Sequence, residues 1–217
     1  MDGARPLLIF DLDDTLIESF PGYVELHRRV AGELGWPVPS VEDLVEYGHG
    51  WTQTLKRLWP DRDVTVFQRR YDMFADDVVY GPFPGVLDAL DQLHAGGHSM
   101  WIVSKRSRRR IHSRVRAAGI AAEMFGGIFA NEDQPAPKPD PRCFSPVWSS
   151  VGARQHAIYV GDRHEDRLAA EAAGLHFVAV RTGPEARRGV FDDLPADNVV
   201  ESAAEIPEWL ERIEGQW

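Results

Sequence analysis

Two pairs of aspartates, each directly behind a short apolar run, are the residues of this chain best suited to chemistry. The first lies in Asp11-Leu12-Asp13-Asp14-Thr15, after Pro6–Phe10. The second is Asp162 and Asp166, after the run Ala157–Val160 and the turn-permitting Gly161. Two carboxylates about 4 Å apart repel by roughly 4 kcal/mol at an effective dielectric of about 20. A cluster of Asp11, Asp13, Asp162 and Asp166 therefore requires a cation. Its donors are all oxygens, with no His or Cys cluster beside them, and this favours a hard ion such as Mg²⁺. The same aspartates also suit turns and helix N-caps, where the residue is favoured for its own hydrogen bonding.

Two further residues could serve an anionic substrate. Ser104 closes the run Trp101-Ile-Val with a hydroxyl able to donate to a phosphate oxygen. Lys138 stands in a loop pinned by Pro137 and Pro139, where the alternative is a solvated surface lysine. The elements that must position these groups read as an alternation. Five short apolar runs (6–10, 99–103, 127–130, 157–160 and 177–180) are separated by helical periodicity at 107–118, 141–151 and 164–173. Short continuous apolar strands alternating with helices predict a parallel sheet covered on both faces. Ligands in such sheets bind at the carboxyl ends of the strands, where both Asp pairs fall. One interval breaks the pattern: from about Ile17 to Pro82 only helical periodicity is present, with Phe67, Tyr71, Phe74 and Val78 on one stripe. This reads as a small all-helical second domain, a cap.

The order Asp-x-Asp-x-Thr, strand-end Ser104, Lys138-Pro139 and Gly161-Asp162-x-x-x-Asp166 resembles the four motifs of the haloacid dehalogenase-like (HAD) hydrolase superfamily. The likeness spans nearly the whole chain and includes Phe83-Pro84-Gly85-Val86 and the segment 162–174. It points to the phosphatase branch with a type 1 helical cap, of the phosphoglycolate phosphatase kind. It implies an α/β fold with a Rossmann-like core at 1–16 and 83–217, and a cap at 17–82. It further implies Mg²⁺-dependent hydrolysis of a small phosphate monoester through an aspartyl-phosphate. Asp11 would be the nucleophile and Asp13 the general acid and base. Mg²⁺ would be held by the Asp11 carboxylate, the Asp13 backbone carbonyl and the Asp162 carboxylate. Ser104 and Lys138 would bind the phosphoryl oxygens, Thr15 would orient Asp13, and Asp166 would support the site from behind. The carboxylate at Asp13 favours a phosphatase, because dehalogenases of the superfamily lack one there. Lys105, where relatives often carry Asn, and Arg163-His164, where many carry a small hydroxyl residue, depart from the pattern.

In relatives a cap loop reads the leaving group. Here the Gly-rich turn between cap helices offers His49, Trp51, Thr52 and Gln53 as specificity residues, with a plain helix–helix turn as the alternative. Seven bases between Lys105 and Arg116 read as the solvated side of a helix that buries Ile111, Val115 and Ala118. Arg108–Arg110 occupy its first turn, where the helix dipole opposes cations, and could raise the field around an anionic substrate.

The formal net charge is −10, of which residues 192–217 carry −7 and the rest −3. That balance argues against nonspecific nucleic-acid binding. The acidic tail reads as a solvated helix around 208–213. A single Cys143 excludes a disulfide framework. No apolar run is long enough to span a bilayer, and the start MDGARPLLIFDLDD has no secretory h-region, so a cytoplasmic protein without membrane or nucleic-acid partners is expected. The resemblance implies a small phosphorylated metabolite as the partner. A phosphomutase on the same scaffold is the nearest alternative, and a non-catalytic phosphate-binding or signalling protein the more distant one.

Overall fold

The apolar runs form strands β1 (Leu7–Phe10), β2 (Met100–Val103), β3 (Phe125–Phe129), β4 (Ala157–Gly161) and β5 (His176–Val180). Every residue of β1, β2 and β4 is buried, as the continuous apolar character of central parallel strands requires. A sixth strand, β6 (Val199–Val200), extends the sheet beyond the five expected. Its two residues are too short a run to show a period. The computed structural model describes residues 5–45, 50–75, 78–152 and 156–213.

The sheet is parallel throughout, in the order β3-β2-β1-β4-β5-β6. Strand alternation sends Ile9, Trp101 and Tyr159 to one face. There they pack with Phe144, Val147, Ala169 and Ala170. Leu8, Phe10, Ile102 and Val160 are equally buried on the other face. On edge strand β3, a Cβ at Gly126 would stand 2.5 Å from the Trp101 ring, so the indole lies where only glycine leaves room.

The chain divides into two compact units, Met1–Glu18 with Gly81–Trp217, and Ser19–Tyr80. The second holds α1 (Phe20–Glu33), α2 (Val41–Val45), α3 (Trp51–Leu58) and α4 (Val64–Phe74). Helix α2 begins with a reciprocal cap: the Ser40 N–H donates to Asp43 Oδ2 at 2.9 Å and the Asp43 N–H to Ser40 Oγ at 3.1 Å. The core of this unit is aromatic, with Phe67, Tyr71 and Trp59 buried together with Leu26, Val30 and Leu55.

The first unit carries the remaining helices, α5 (Val86–Ala95), α6 (Arg108–Ala117), α7 (Ser145–Val151), α8 (His164–Ala173) and α9 (Ile206–Ile213). Helix α9 corrects the expectation of a solvated tail. Ile206, Trp209, Leu210 and Ile213 recur at i, i+3, i+4 and i+7 and are all buried, while its acids face outward. Where the chain leaves β1 for the insert and returns from it, Ile17 pairs antiparallel with Pro82, and the Glu18 N–H donates to Gly81 O at 2.9 Å.

Candidate active site

The strand order reverses between β1 and β4, so their carboxyl ends flank the crevice of the sheet. Asp11 follows β1 and Asp162 follows β4. The Asp11 N–H donates to Val160 O at 2.9 Å, which ties the two strand ends together. Carboxylate oxygens of Asp11, Asp162 and Asp166 all lie within 4.8 Å of one another, and all three residues are buried. Thr15 Oγ1 donates to Asp162 Oδ1 at 3.2 Å. The expectation placed this hydroxyl on Asp13. The loop instead turns through Asp14 in the left-handed region (φ 59°), and Thr15 faces the other strand end. A Cβ at Gly183 would stand 1.9 Å from Asp162 Oδ2, so the loop after β5 closes on this carboxylate and needs glycine to do so.

Lys138, which sequence left open as a solvated residue, is buried between the acids. Its Nζ donates to Asp11 Oδ1 at 2.5 Å, Asp166 Oδ1 at 2.6 Å and Tyr159 Oη at 2.7 Å. Tyr159 in turn donates to Asp166 Oδ1 at 2.9 Å. Burial pushes the Asp11 carboxyl up to about 6, against the pull of Lys138 and with the repulsion of Asp166. Asp11 is thus mostly ionised at neutral pH. Burial likewise holds Asp162 well above the usual carboxylate range, reinforced by Asp14, Asp166 and Asp11. One ammonium among three buried carboxylates leaves a negative excess, and the all-oxygen donor set fits a divalent cation.

Among the described residues Asp13 is not part of this cluster. Arg106 Nε donates to its Oδ2 at 2.8 Å, and Arg114 Nη1 donates to its Oδ1. Burial lowers the Arg114 guanidinium to about 10, still charged at neutral pH. This corrects the reading of the basic run as wholly solvated, since Arg114 shares the buried face of α6 with Ile111 and Val115. Ser104 lies buried at the end of β2. Its Oγ accepts from the Arg106 N–H at 3.2 Å, and its carbonyl accepts from Gln134 Nε2 at 2.7 Å.

Of the departures from the family pattern, Lys105 and Arg163 form ion pairs. Lys105 Nζ meets Glu165 at 2.8 Å, and Arg163 meets Glu185 at 2.7 Å and Glu165 at 3.3 Å. At the start of α6 the Arg108 N–H donates to Glu132 at 3.0 Å, and its side chain meets Asp133 at 2.6 Å. Two carboxylates thereby answer the dipole that Arg108–Arg110 oppose.

The proposed specificity residues lie in the helical unit, apart from His49, which is outside the described residues. Trp51, Thr52 and Gln53 form the first turn of α3, with Gly50 as its N-cap, instead of a loop. Trp51 Nε1 donates to His27 Nε2 at 3.1 Å, Thr52 Oγ1 accepts from Gln68 at 2.9 Å, and Gln53 is exposed. Sequence reasoning missed Tyr159, Arg106 and Arg114. Tyr159 is masked as one more apolar strand residue, whereas the i, i+3, i+4 spacing of Ile111, Arg114 and Val115 is a signal that was available.

Among the described residues no helix is long and apolar enough to cross a membrane. The family model described as haloacid dehalogenase-like hydrolase matches residues 8–180. A phosphoglycolate phosphatase from Mesorhizobium japonicum is 30% identical over 193 residues, covering 83% of this chain and 84% of its own. One from Cereibacter sphaeroides is 28% identical over 221 residues, covering 96% and 99%. Among solved structures, a HAD-superfamily hydrolase from Geobacter sulfurreducens superposes with a TM-score of 0.74 at 25% identity, over 96% of this chain and 98% of that one. With its motifs at the strand ends of this sheet, the chain belongs to the haloacid dehalogenase-like hydrolase family.

Proposed function

We propose that this chain is a Mg²⁺-dependent phosphatase that hydrolyses a small phosphate monoester through an aspartyl-phosphate on Asp11. The observation that carries the reading is the convergence of Asp11, Asp162, Asp166 and Lys138 in one buried cluster at the switch point of the sheet. The names of the relatives, phosphoglycolate phosphatases over most of both chains, support hydrolysis and a small phosphorylated substrate.

The Asp11 carboxylate attacks phosphorus, the ester P–O bond breaks, and the leaving oxygen takes a proton from Asp13. Asp13 then accepts a proton from water as that water attacks the aspartyl-phosphate, which frees phosphate and restores Asp11. Ser104 and Lys138 hold the phosphoryl oxygens as they gain charge. Before substrate arrives, Lys138 occupies its acceptor-rich position between Asp11 and Asp166. Asp11, the Asp13 carbonyl and Asp162 would hold the metal, with Thr15 fixing Asp162 and Asp166 fixing Lys138. Bound there, Mg²⁺ supplies charge neutralisation for the phosphate. In this reading residues 17–82 act as the cap, and His49, Trp51, Thr52 and Gln53 read the leaving group.

The test is a phosphate-release screen over phosphorylated metabolites with and without Mg²⁺, comparing wild type with Asp11→Asn. Mg²⁺-dependent release by wild type, reduced more than about 10³-fold in the variant, is the expected result. Equal activity in Asp11→Asn removes the assigned nucleophile. An isomerised sugar phosphate without free phosphate makes the chain a mutase.

A further inference from the structure

The basic run 105–116 contains one residue that helix physics does not allow to be idle. Arg114 lies three residues after Ile111 and one before Val115 on the buried face of α6, and its side chain is 8% exposed. A guanidinium in that position is costly unless it is paired. Its Nη1 donates to Asp13 Oδ1, and the other oxygen of the same carboxylate accepts from Arg106 Nε, whose side chain is 21% exposed.

The two arginines come from different elements, Arg114 from α6 and Arg106 from the loop between β2 and α6. A single partner leaves a carboxylate free to rotate about its Cβ–Cγ bond, whereas one partner on each oxygen fixes its plane. The backbone beneath is fixed as well. The Asp14 N–H donates to Ile17 O at 2.7 Å, and Thr182 Oγ1 donates to Asp14 O at 2.6 Å. Among the described residues the Asp13 carboxylate is not part of the buried acid cluster, so these arginines, and not the other acids, set its direction.

We propose that Arg114, assisted by Arg106, is a positioning residue for Asp13, aiming the carboxylate that serves the leaving oxygen. The inference rests on the reading of Asp13 as general acid. A positioned acid matters most when the departing oxygen is a poor leaving group and must be protonated as the bond breaks. It matters least for a nitrophenolate, which leaves without a proton. The loss of Arg114 therefore falls unevenly on the two substrate types.

The experiment measures kcat/KM with Mg²⁺ for an alkyl phosphate monoester and for 4-nitrophenyl phosphate, in wild type, Arg114→Met, Arg114→Lys and Arg106→Met. Because kcat/KM reports steps up to release of the leaving group, hydrolysis of the aspartyl-phosphate does not enter. Arg114→Met is expected to lower the alkyl value at least about tenfold more than the nitrophenyl value, with part of that restored in Arg114→Lys. In an Asp13→Asn background, Arg114→Met is expected to cause no further selective loss. Arg106→Met, at a more exposed position, carries the same measurement should Arg114→Met fail to fold. An equal loss on both esters, or a selective loss that persists without the Asp13 carboxylate, overturns the proposal and leaves the phosphatase reading standing. A wild type that cleaves neither ester nor any phosphorylated metabolite overturns that reading, and this inference with it.

Discussion

The two units of the chain bury polar groups in opposite ways. Among the described residues of the helical unit the buried polar ones are Ser19, His27 and Thr54, none of them an acid, a lysine or an arginine. His27 sits among the rings of Tyr23, Phe67 and Tyr71, with Nδ1 on Tyr23 O at 2.7 Å and Nε2 accepting from Trp51. That unit is held by apolar and aromatic packing and by local caps. The α/β unit instead buries Asp11, Asp162, Asp166, Lys138 and Arg114. Buried ion pairs are weak sources of stability against well-packed apolar residues. In the proposed reading the charge cluster is kept for chemistry, at a cost in stability which the helical unit avoids.

The sharpest way to break that comparison is to remove the ammonium. Lys138→Met leaves Asp11 and Asp166 facing each other without a counter-ion. The expected cost is about 3–5 kcal/mol near pH 7 without divalent cations. Urea unfolding measures it, and the deficit should shrink when Mg²⁺ is added, because the proposed ion would bind the folded variant, freed of the competing ammonium, more tightly than it binds folded wild type. A variant as stable as wild type in metal-free buffer would show that the cluster is not strained by its own charge.

The next effect is one of pH. The folded Asp11 carboxyl stands at about 6 against an ordinary 3.8, so the folded chain holds that proton more tightly than the unfolded one. Its contribution to stability is full below about 3.8 and is lost as pH rises through about 6. The groups facing it are Lys138, which favours ionisation, and Asp166, which opposes it. Metal-free wild type should therefore lose about 2 kcal/mol between about pH 4 and pH 7 relative to Asp11→Asn, which lacks the titration. Divalent binding should strengthen over the same interval as its ligand deprotonates. Isothermal titration with Mg²⁺ at about pH 5 and pH 7 reads this directly, and an unchanged affinity would detach Asp11 from the metal.

Much of the α/β unit was legible because its candidate site residues lie where strands end. An apolar run followed by Asp marks both Asp11 and Asp162, and central strands buried on both faces cannot disguise themselves by alternation. What escaped was set by distance in the chain or by competing signals. Thr15 meets Asp162 across 147 residues, a pairing no local pattern encodes. Arg114 was hidden by its basic neighbours, and the buried face of α9 by the acids around Trp209 and Leu210. Gly48 and Gly50 read as a turn, yet Gly50 is an N-cap and Trp51 already belongs to the helix. At Arg114, α9 and Trp51 composition spoke louder than period, and period was the better guide.

The smallest expected effect sharpens the comparison from the helical side. Ser40→Ala removes the hydroxyl that accepts from the Asp43 N–H at the start of α2, and with it half of the reciprocal cap. Loss of such a cap costs about 1 kcal/mol. Nothing in this cap resembles a ligand for a cation: Asp43, held below the usual carboxylate range by Ser40, is stabilised by the backbone it caps. The cost in urea should thus be the same with and without Mg²⁺, whereas that of Lys138→Met should not. A Mg²⁺-dependent cost at Ser40 would mean that the helical unit shares in metal binding. The division between one unit that packs and another that holds charge for chemistry would then be wrong.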